Sequence, residues 1–227
     1  RKYIDQYPYL KANTLFTQAV VYDWLHLPDT AERMHQQALT LRTQLFGKDS
    51  REVADSYLWM GVLNNWGLQR KDLAKLYYLK ALPLQKTYLP DSRYALGSVY
   101  YGLAIIAREN FEFDEAETLA KQYSALYQDL PYEQASAFQL IANIYWEQRN
   151  YDKSLEERKQ SIKIFESSGF KEDLIVEYSN LSSDLKGLKR FKEAKEALKK
   201  GLWILETSAS NDPFYSKVIY ENLGDLY

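Results

Sequence analysis

Six times along this chain an aromatic residue or leucine is followed three positions later by a long side chain and then directly by a small residue. The instances are Leu15-Gln18-Ala19, Tyr57-Met60-Gly61, Tyr100-Leu103-Ala104, Phe138-Ile141-Ala142, Tyr178-Leu181-Ser182 and Tyr220-Leu223-Gly224. Their small residues lie 42, 43, 38, 40 and 42 positions apart. Recurrence at this interval marks a unit that stacks on copies of itself, because one such unit cannot bury its apolar face alone. Stacks of this kind build long surfaces rather than enclosed pockets, so the pattern points to a binding scaffold. It does not name the partner.

At 227 residues the chain has room for one or two ordinary domains, but a stack is expected to run through residues 1–227 as a single array. The 15% aromatic content and 20 tyrosines follow largely from the repeat. Tyr22, Tyr57, Tyr78, Tyr100, Tyr123, Tyr145, Tyr151, Tyr178, Tyr220 and Tyr227 all fall on repeat-defining sites. With 29 basic and 31 acidic side chains the net charge is −2, which offers no general field for nucleic acid or a membrane surface. Cysteine is absent, which excludes disulfides, zinc thiolate sites and thiol catalysis. The compartment is left open, with the cytoplasm the expectation. No run approaches the roughly 18 apolar residues that span a bilayer, and no signal-peptide pattern opens the chain, so membrane insertion is not expected. The chain stops at Tyr227 in the middle of a repeat, and the natural protein is expected to continue beyond it.

Twelve or thirteen residues after each small site comes another that opens a second helix: Ala31, Ala74, Ala116, Ser154 and Ala194. Seven further on stand Ala38, Ala81, Tyr123, Ser161 and Gly201. Small residues let two antiparallel helices approach closely, and apolar residues three and four positions away seal the contact. Asp29 with Glu32 and Asp114 with Glu117 have the spacing of a capping box. Phe113, Tyr151 and Phe191 are expected to plug the turn within each pair. Longer polar links at Gly47 to Ser50, Pro90 to Ser92, Leu130 to Tyr132, Ser167 to Phe170 and Ser208 to Pro213 read as surface loops. Pro83 falls inside a second helix, where the missing hydrogen bond predicts a bend or an early end.

The pattern resembles the tetratricopeptide repeat, with W-x2-L-G-x2-Y on the first helix and A-x3-F on the second. Tyr220-Leu223-Gly224-Tyr227 and Phe138-Ile141-Ala142-Tyr145 match best. The period exceeds the usual value of about 34. The run from Phe46 to Ala54 resembles the inter-repeat linker of kinesin light chains, and Leu89 to Ala95 is similar. Later copies look more like the repeats of about 40 residues in cell-polarity adaptors and bacterial signalling proteins. Gln18, Asn64, Arg158 and Gly201 depart from the pattern at packing sites. The resemblance implies an all-α, right-handed superhelical solenoid of antiparallel helix pairs: about five repeats and the first helix of a sixth, without strands.

In such arrays the first helices line a concave surface. One helical turn from the packing sites lie Asn13, Phe16, Val20, Asp23 and Trp24, then Asp55, Leu58, Val62, Asn65 and Trp66. The third repeat contributes Ser98, Tyr101, Ile105, Arg108 and Glu109, and the fourth Ser136, Gln139, Asn143, Trp146 and Glu147. The last two supply Val176, Ser179, Ser183, Lys186, Val218, Glu221 and Asp225, so the wall runs from apolar to polar. Asn65 and Asn143 offer a donor and an acceptor to a peptide backbone, although a solvated helix face is the favoured reading of each. Trp24, Trp66 and Trp146 are candidate aromatic anchors, with inter-repeat packing as the competing role. Arg108 and Lys186 are the only inner cations, too few for the two-lysine, two-asparagine carboxylate clamp of some family members. Lys186, Lys189, Arg190, Lys192, Lys195, Lys199 and Lys200 make the fifth repeat basic. Glu193 and Glu196 interrupt them at pairing distance, which favours a solvated outer face over a phosphate site. His35 sits at the large apolar site of a second helix and His26 at a turn, so no metal pair is expected.

No phosphate-binding or dinucleotide glycine loop occurs, and no catalytic residue or cofactor is expected. Two functions stay open. One is a non-catalytic scaffold that binds a protein or peptide in the concave groove. The other is the sensor or regulatory arm of a larger bacterial signalling protein or enzyme, with a caspase-like protease, histidine kinase or DNA-binding effector beyond residue 227.

Overall fold

The structure, a computed structural model, describes residues 7–208 and 212–224. The expectations placed on Asp225, Tyr227 and the middle of the Ser208 to Pro213 link lie outside them. The described residues form eleven α-helices and one π-helical turn, with no strand among them. They fall into two compact units, the first up to Glu112 and the second from Phe113.

The N-terminal unit holds α1 (Pro8–Trp24), α2 (Pro28–Phe46), α3 (Arg51–Val62), the π-turn Leu63–Gly67, α4 (Lys71–Thr87) and α5 (Arg93–Glu109). Helices α1 and α2 pack as one pair and α3 and α4 as the next, while α5 packs on both members of the second pair. Ala19, Ala31, Ala38, Ala74, Ala81 and Ala104 are completely buried, as the repeat predicts. The Tyr78 ring fills the space left by two glycines. A Cβ on Gly61 would stand 2.6 Å from that ring, and one on Gly102 2.5 Å from it. The glycines are required here for closeness of approach, not for backbone freedom.

The C-terminal unit holds α6 (Phe113–Leu126), α7 (Pro131–Glu147), α8 (Tyr151–Ser168), α9 (Lys171–Gly187), α10 (Phe191–Thr207) and α11 (Pro213–Gly224). Helices α7 with α8 and α9 with α10 form pairs, and α11 packs on both α9 and α10. Their shared core includes Leu155, Phe165, Ile175, Tyr178, Leu198 and Ile219. Ala142 is completely buried, as expected, whereas Gly224 is exposed. Gly201, a departure from the pattern, leaves room for Ile219, whose Cδ1 would lie 2.7 Å from an added Cβ.

Five of the turns between helices contain one residue in the left-handed region: His26, Gln69, Phe111, Arg149 and Lys189, with φ of 56, 56, 62, 59 and 60°. The next amide reaches back to close each helix end: Leu27 to the Tyr22 carbonyl, Arg70 to Asn64, Glu112 to Ala107, Asn150 to Tyr145 and Arg190 to Leu185. Four of these span five residues and make a Schellman closure, usually built with glycine or asparagine, while the Arg70 bond after the π-turn spans six. None of the five residues is either, so composition gave no signal for it.

Several local expectations are corrected. Asp29 and Asp114 lie inside the first turns of α2 and α6 rather than at their N-caps. Glu117 instead accepts from the Tyr145 hydroxyl at 2.8 Å and Lys121 at 2.6 Å. The observed side-chain caps are Ser50, accepting from the Val53 amide, and Asn150, accepting from that of Lys153. Tyr151 packs against Gly187, but Phe191 is exposed. Helix α4 does not end early at Pro83. It runs on to Thr87, and Gln85, two residues beyond the proline, is completely buried.

Candidate functional site

In the N-terminal unit the first helices and the link before α5 line an open cavity of ≈340 Å³, with Phe16 of α1, Arg51, Asp55, Leu58 and Trp59 of α3, Asp91 of the link, and Tyr94 and Ser98 of α5 among its walls. Phe16, Asp55, Leu58 and Ser98 belong to the wall read from the sequence. They come from three repeats, so each side chain occupies the same helical face one unit later. Arg51, Trp59 and Tyr94 were missed, because they lie one position or one turn outside the stripe that the periodicity defines.

The supports behind the cavity are polar. The Arg42 guanidinium lies 3.8 Å from the centre of the Phe16 ring and donates to Asn13 Oδ1 at 3.0 Å, Ser56 Oγ at 3.0 Å and the Glu52 carbonyl at 3.1 Å. His35 meets the same ring edge-on at 5.7 Å. Burial, aided by the nearby Arg42 charge, lowers the His35 pKa to about 4, so the imidazole is neutral at pH 7. Its packed position is the one expected from the sequence. Gln85 Nε2 donates to Asp55 Oδ1 at 2.9 Å and orients that carboxylate toward the cavity region. Arg51 donates to the Asp91 carbonyl at 3.3 Å. The site therefore combines an apolar floor with one cation and one oriented carboxylate. That suits an apolar side chain and the adjoining backbone of a bound segment. Among the described residues no cluster of three or more histidine, aspartate or glutamate side chains is arranged to hold a metal.

The tryptophans and asparagines fall elsewhere. Trp24, 70% exposed, ends α1, and Trp66, 51% exposed, stands on the π-turn with the Lys71 ammonium 5.3 Å from its ring. Gly67 of that turn lies against the Asp23 carboxylate, so Trp24 and Trp66 belong to the same end of the unit. Asn65 does not face the wall. It is completely buried and accepts from Lys71 Nζ at 3.1 Å. The π-turn changes the angular advance after Val62 and carries Asn65 inward, which a uniform helical period cannot anticipate. Arg108 is half-buried in the last turn of α5, and its charge acts on the Tyr101 hydroxyl.

The first-helix face of the C-terminal unit is bonded to itself. Gln139 Nε2 donates to Glu177 Oε1 at 2.9 Å, and Asn222 Nδ2 to Ser179 Oγ at 2.8 Å. Beneath it lies Arg158, one of the departures from the repeat, only 1% exposed. It donates to Asp184 Oδ2 at 2.5 Å, Glu177 Oε1 at 3.4 Å and Asn143 Oδ1 at 3.1 Å. Burial raises both carboxyl pKa values and the Arg158 charge opposes it. Asn143 is thus a partner of Arg158, whereas Trp146 of the same helix is 42% exposed.

Two profiles of the tetratricopeptide repeat match the sequence, at residues 19–52 and 135–167. The chain is built of tetratricopeptide repeats. Such repeats support a protein-interaction or regulatory module. The fold is similar to that of BtubC (BKLC) from P. vanneervenii, at 18% identity and a TM-score of 0.77, covering 93% of this chain and 89% of that one. It also resembles a putative kinesin light chain with nearly identical TPR-like repeats from Podosopora anserina, at 15% identity and a TM-score of 0.71 over 87% and 97% of the two chains. Aspartyl phosphate phosphatase F from Bacillus subtilis is similar at 13% identity with a TM-score of 0.82, over 96% of this chain and 57% of that one. No curated protein sequence matches this chain. No described helix is long and apolar enough to cross a membrane.

Proposed function

We propose that this tetratricopeptide-repeat chain is a non-catalytic scaffold that holds an extended segment of a partner protein on the first-helix face of its N-terminal unit. The observation that carries this reading is the cavity in which Phe16, Leu58 and Trp59 form an apolar floor beside Arg51 and Asp55. An apolar side chain of the partner enters it, Arg51 and Asp55 engage the adjoining backbone or charges, and exposed Trp24 and Trp66 extend the contact along the same unit. Trp146 is proposed as a separate anchor on the C-terminal unit. Arg108, Asn65 and Asn143 act from behind, the two asparagines by fixing Lys71 and Arg158.

The test is selection of displayed peptides on the full chain, followed by titration against Trp59→Ala, Asp55→Lys, Trp24→Ala and Trp66→Ala. Loss of about 2 kcal/mol or more at Trp59 with unchanged helicity supports the site. Selected peptides that bind all four variants as tightly as the parent exclude it. The alternative is that the repeats form the sensor or regulatory arm of a larger signalling protein. It is favoured by the match to only part of the Bacillus subtilis phosphatase chain. An effector domain encoded in the same natural open reading frame is its requirement.

A further inference from the structure

The C-terminal unit has a second pocket, of ≈310 Å³, on a different face of α9 from Ser179 and Ser183. Leu155 of α8, Tyr178, Leu181 and Leu185 of α9 and Ala197 of α10 form its floor. The one polar group on that floor, the Tyr178 hydroxyl, is already committed to Glu166 Oε1 at 2.5 Å. The floor therefore offers apolar contact without a polar atom to orient a small ligand.

The rim is charged, and its charges do not cancel. Lys159, Arg190, Lys192 and Lys200 line it together with Glu193 and Glu196. Both carboxylates have their own cations: Arg190 binds Glu193 at 2.6 Å and Lys199 binds Glu196 at 2.7 Å. Lys159, Lys192 and Lys200 then leave a surplus of positive charge around the opening. The Lys200 ammonium stands 5.4 Å from the centre of the Tyr178 ring, directly at the apolar floor. The basic run in the sequence, read there as a solvated outer face, thus edges a cavity.

We propose that this pocket docks an acidic protein segment that inserts one large apolar side chain between α8 and α10 while its flanking carboxylates meet Lys159, Lys192 and Lys200. The cavity lies at the lower end of the range of about 300–1,000 Å³ typical of small-molecule sites and suits a single anchoring side chain. Complementary charge on a lysine rim adds attraction and steering that fall with ionic strength.

The experiment titrates the full chain with a fluorescein-labelled peptide carrying a central Phe-Leu pair between runs of aspartate and glutamate. Two control peptides replace the acids by lysine or the central pair by Gly-Ser. Both controls are expected to bind at least about tenfold more weakly. The charge reversals Lys159→Glu with Lys192→Glu, and separately Leu181→Ser on the floor, should each raise Kd by about the same factor with the helical circular dichroism unchanged. A peptide selected on the first-helix face of the N-terminal unit should not compete, which separates this site from that one. Equal binding of the three peptides, indifference to the rim reversals, or full competition by the first-helix peptide would overturn the proposal. So would occupancy by the small anionic dye anilinonaphthalene sulfonate while none of the peptides binds.

Discussion

His35 and Arg158 occupy the same site in the first and fourth copies of the repeat, four residues after Ala31 and Ser154, where an apolar ring is usual. Their consequences differ because one can shed its charge and the other cannot. The His35 pKa is lowered from 6.5 to about 4, so between these values the unfolded chain takes up a proton that the folded chain refuses. Stability from this residue is complete above pH 6.5 and is lost as the pH falls toward 4. By pH 5 the loss amounts to about 2 kcal/mol. Melting curves of the parent and His35→Phe between pH 7 and pH 5 should show a markedly smaller decline in the variant. The raised carboxyl pKa values of Glu177 and Asp184 act in the opposite direction, but equally in both proteins. Arg158 stays charged, so Arg158→Leu strands two buried carboxylates and should cost about 3–5 kcal/mol. Adding Glu177→Gln and Asp184→Asn should recover much of that loss in denaturant titration. Recovery of nothing would mean that the cost lay in packing.

At the scale of the element, two devices set helix geometry. The first is the left-handed residue in five of the turns between helices. Lys189 is exposed, so Lys189→Gly should relieve a backbone cost of about 1 kcal/mol and raise the melting temperature, while Lys189→Val should lower it. The second is the Tyr78 wedge between α3 and α5. Gly102→Ala forces a Cβ into the ring and should cost about 1–3 kcal/mol by overpacking. Combining it with Tyr78→Leu should return part of that stability, since the smaller side chain vacates the space. A measured cost near zero for Gly102→Ala would show that α5 can shift without resistance.

For the whole molecule, repeat architecture makes stability a sum of local and nearest-neighbour contributions. A lesion at Arg158 should then be felt where its partners lie. Amide hydrogen exchange of Arg158→Leu is expected to accelerate in α7, α8 and α9 and to leave α1 to α3 close to the parent. Uniform acceleration would instead indicate one cooperative unit.

The helices, their number and most of the buried small residues were legible in the sequence, because a helical face repeats over a few residues and needs no knowledge of distant chain. Ala19, Ala104 and Ala142 are buried for that reason. Phe16, Asp55, Leu58 and Ser98 could likewise be placed on one face, and the structure brings them around one cavity. Asn65 could not, since a single π-turn shifts every later side chain of that helix, and whether a turn widens depends on what packs against it. Nor could the burial of Arg158, whose carboxylate partners lie 19 and 26 residues away in the next helix pair. Local pattern determines which residues can share a face. Only tertiary packing decides whether a charged or polar one among them is desolvated, because the group that compensates its lost hydration comes from elsewhere in the chain.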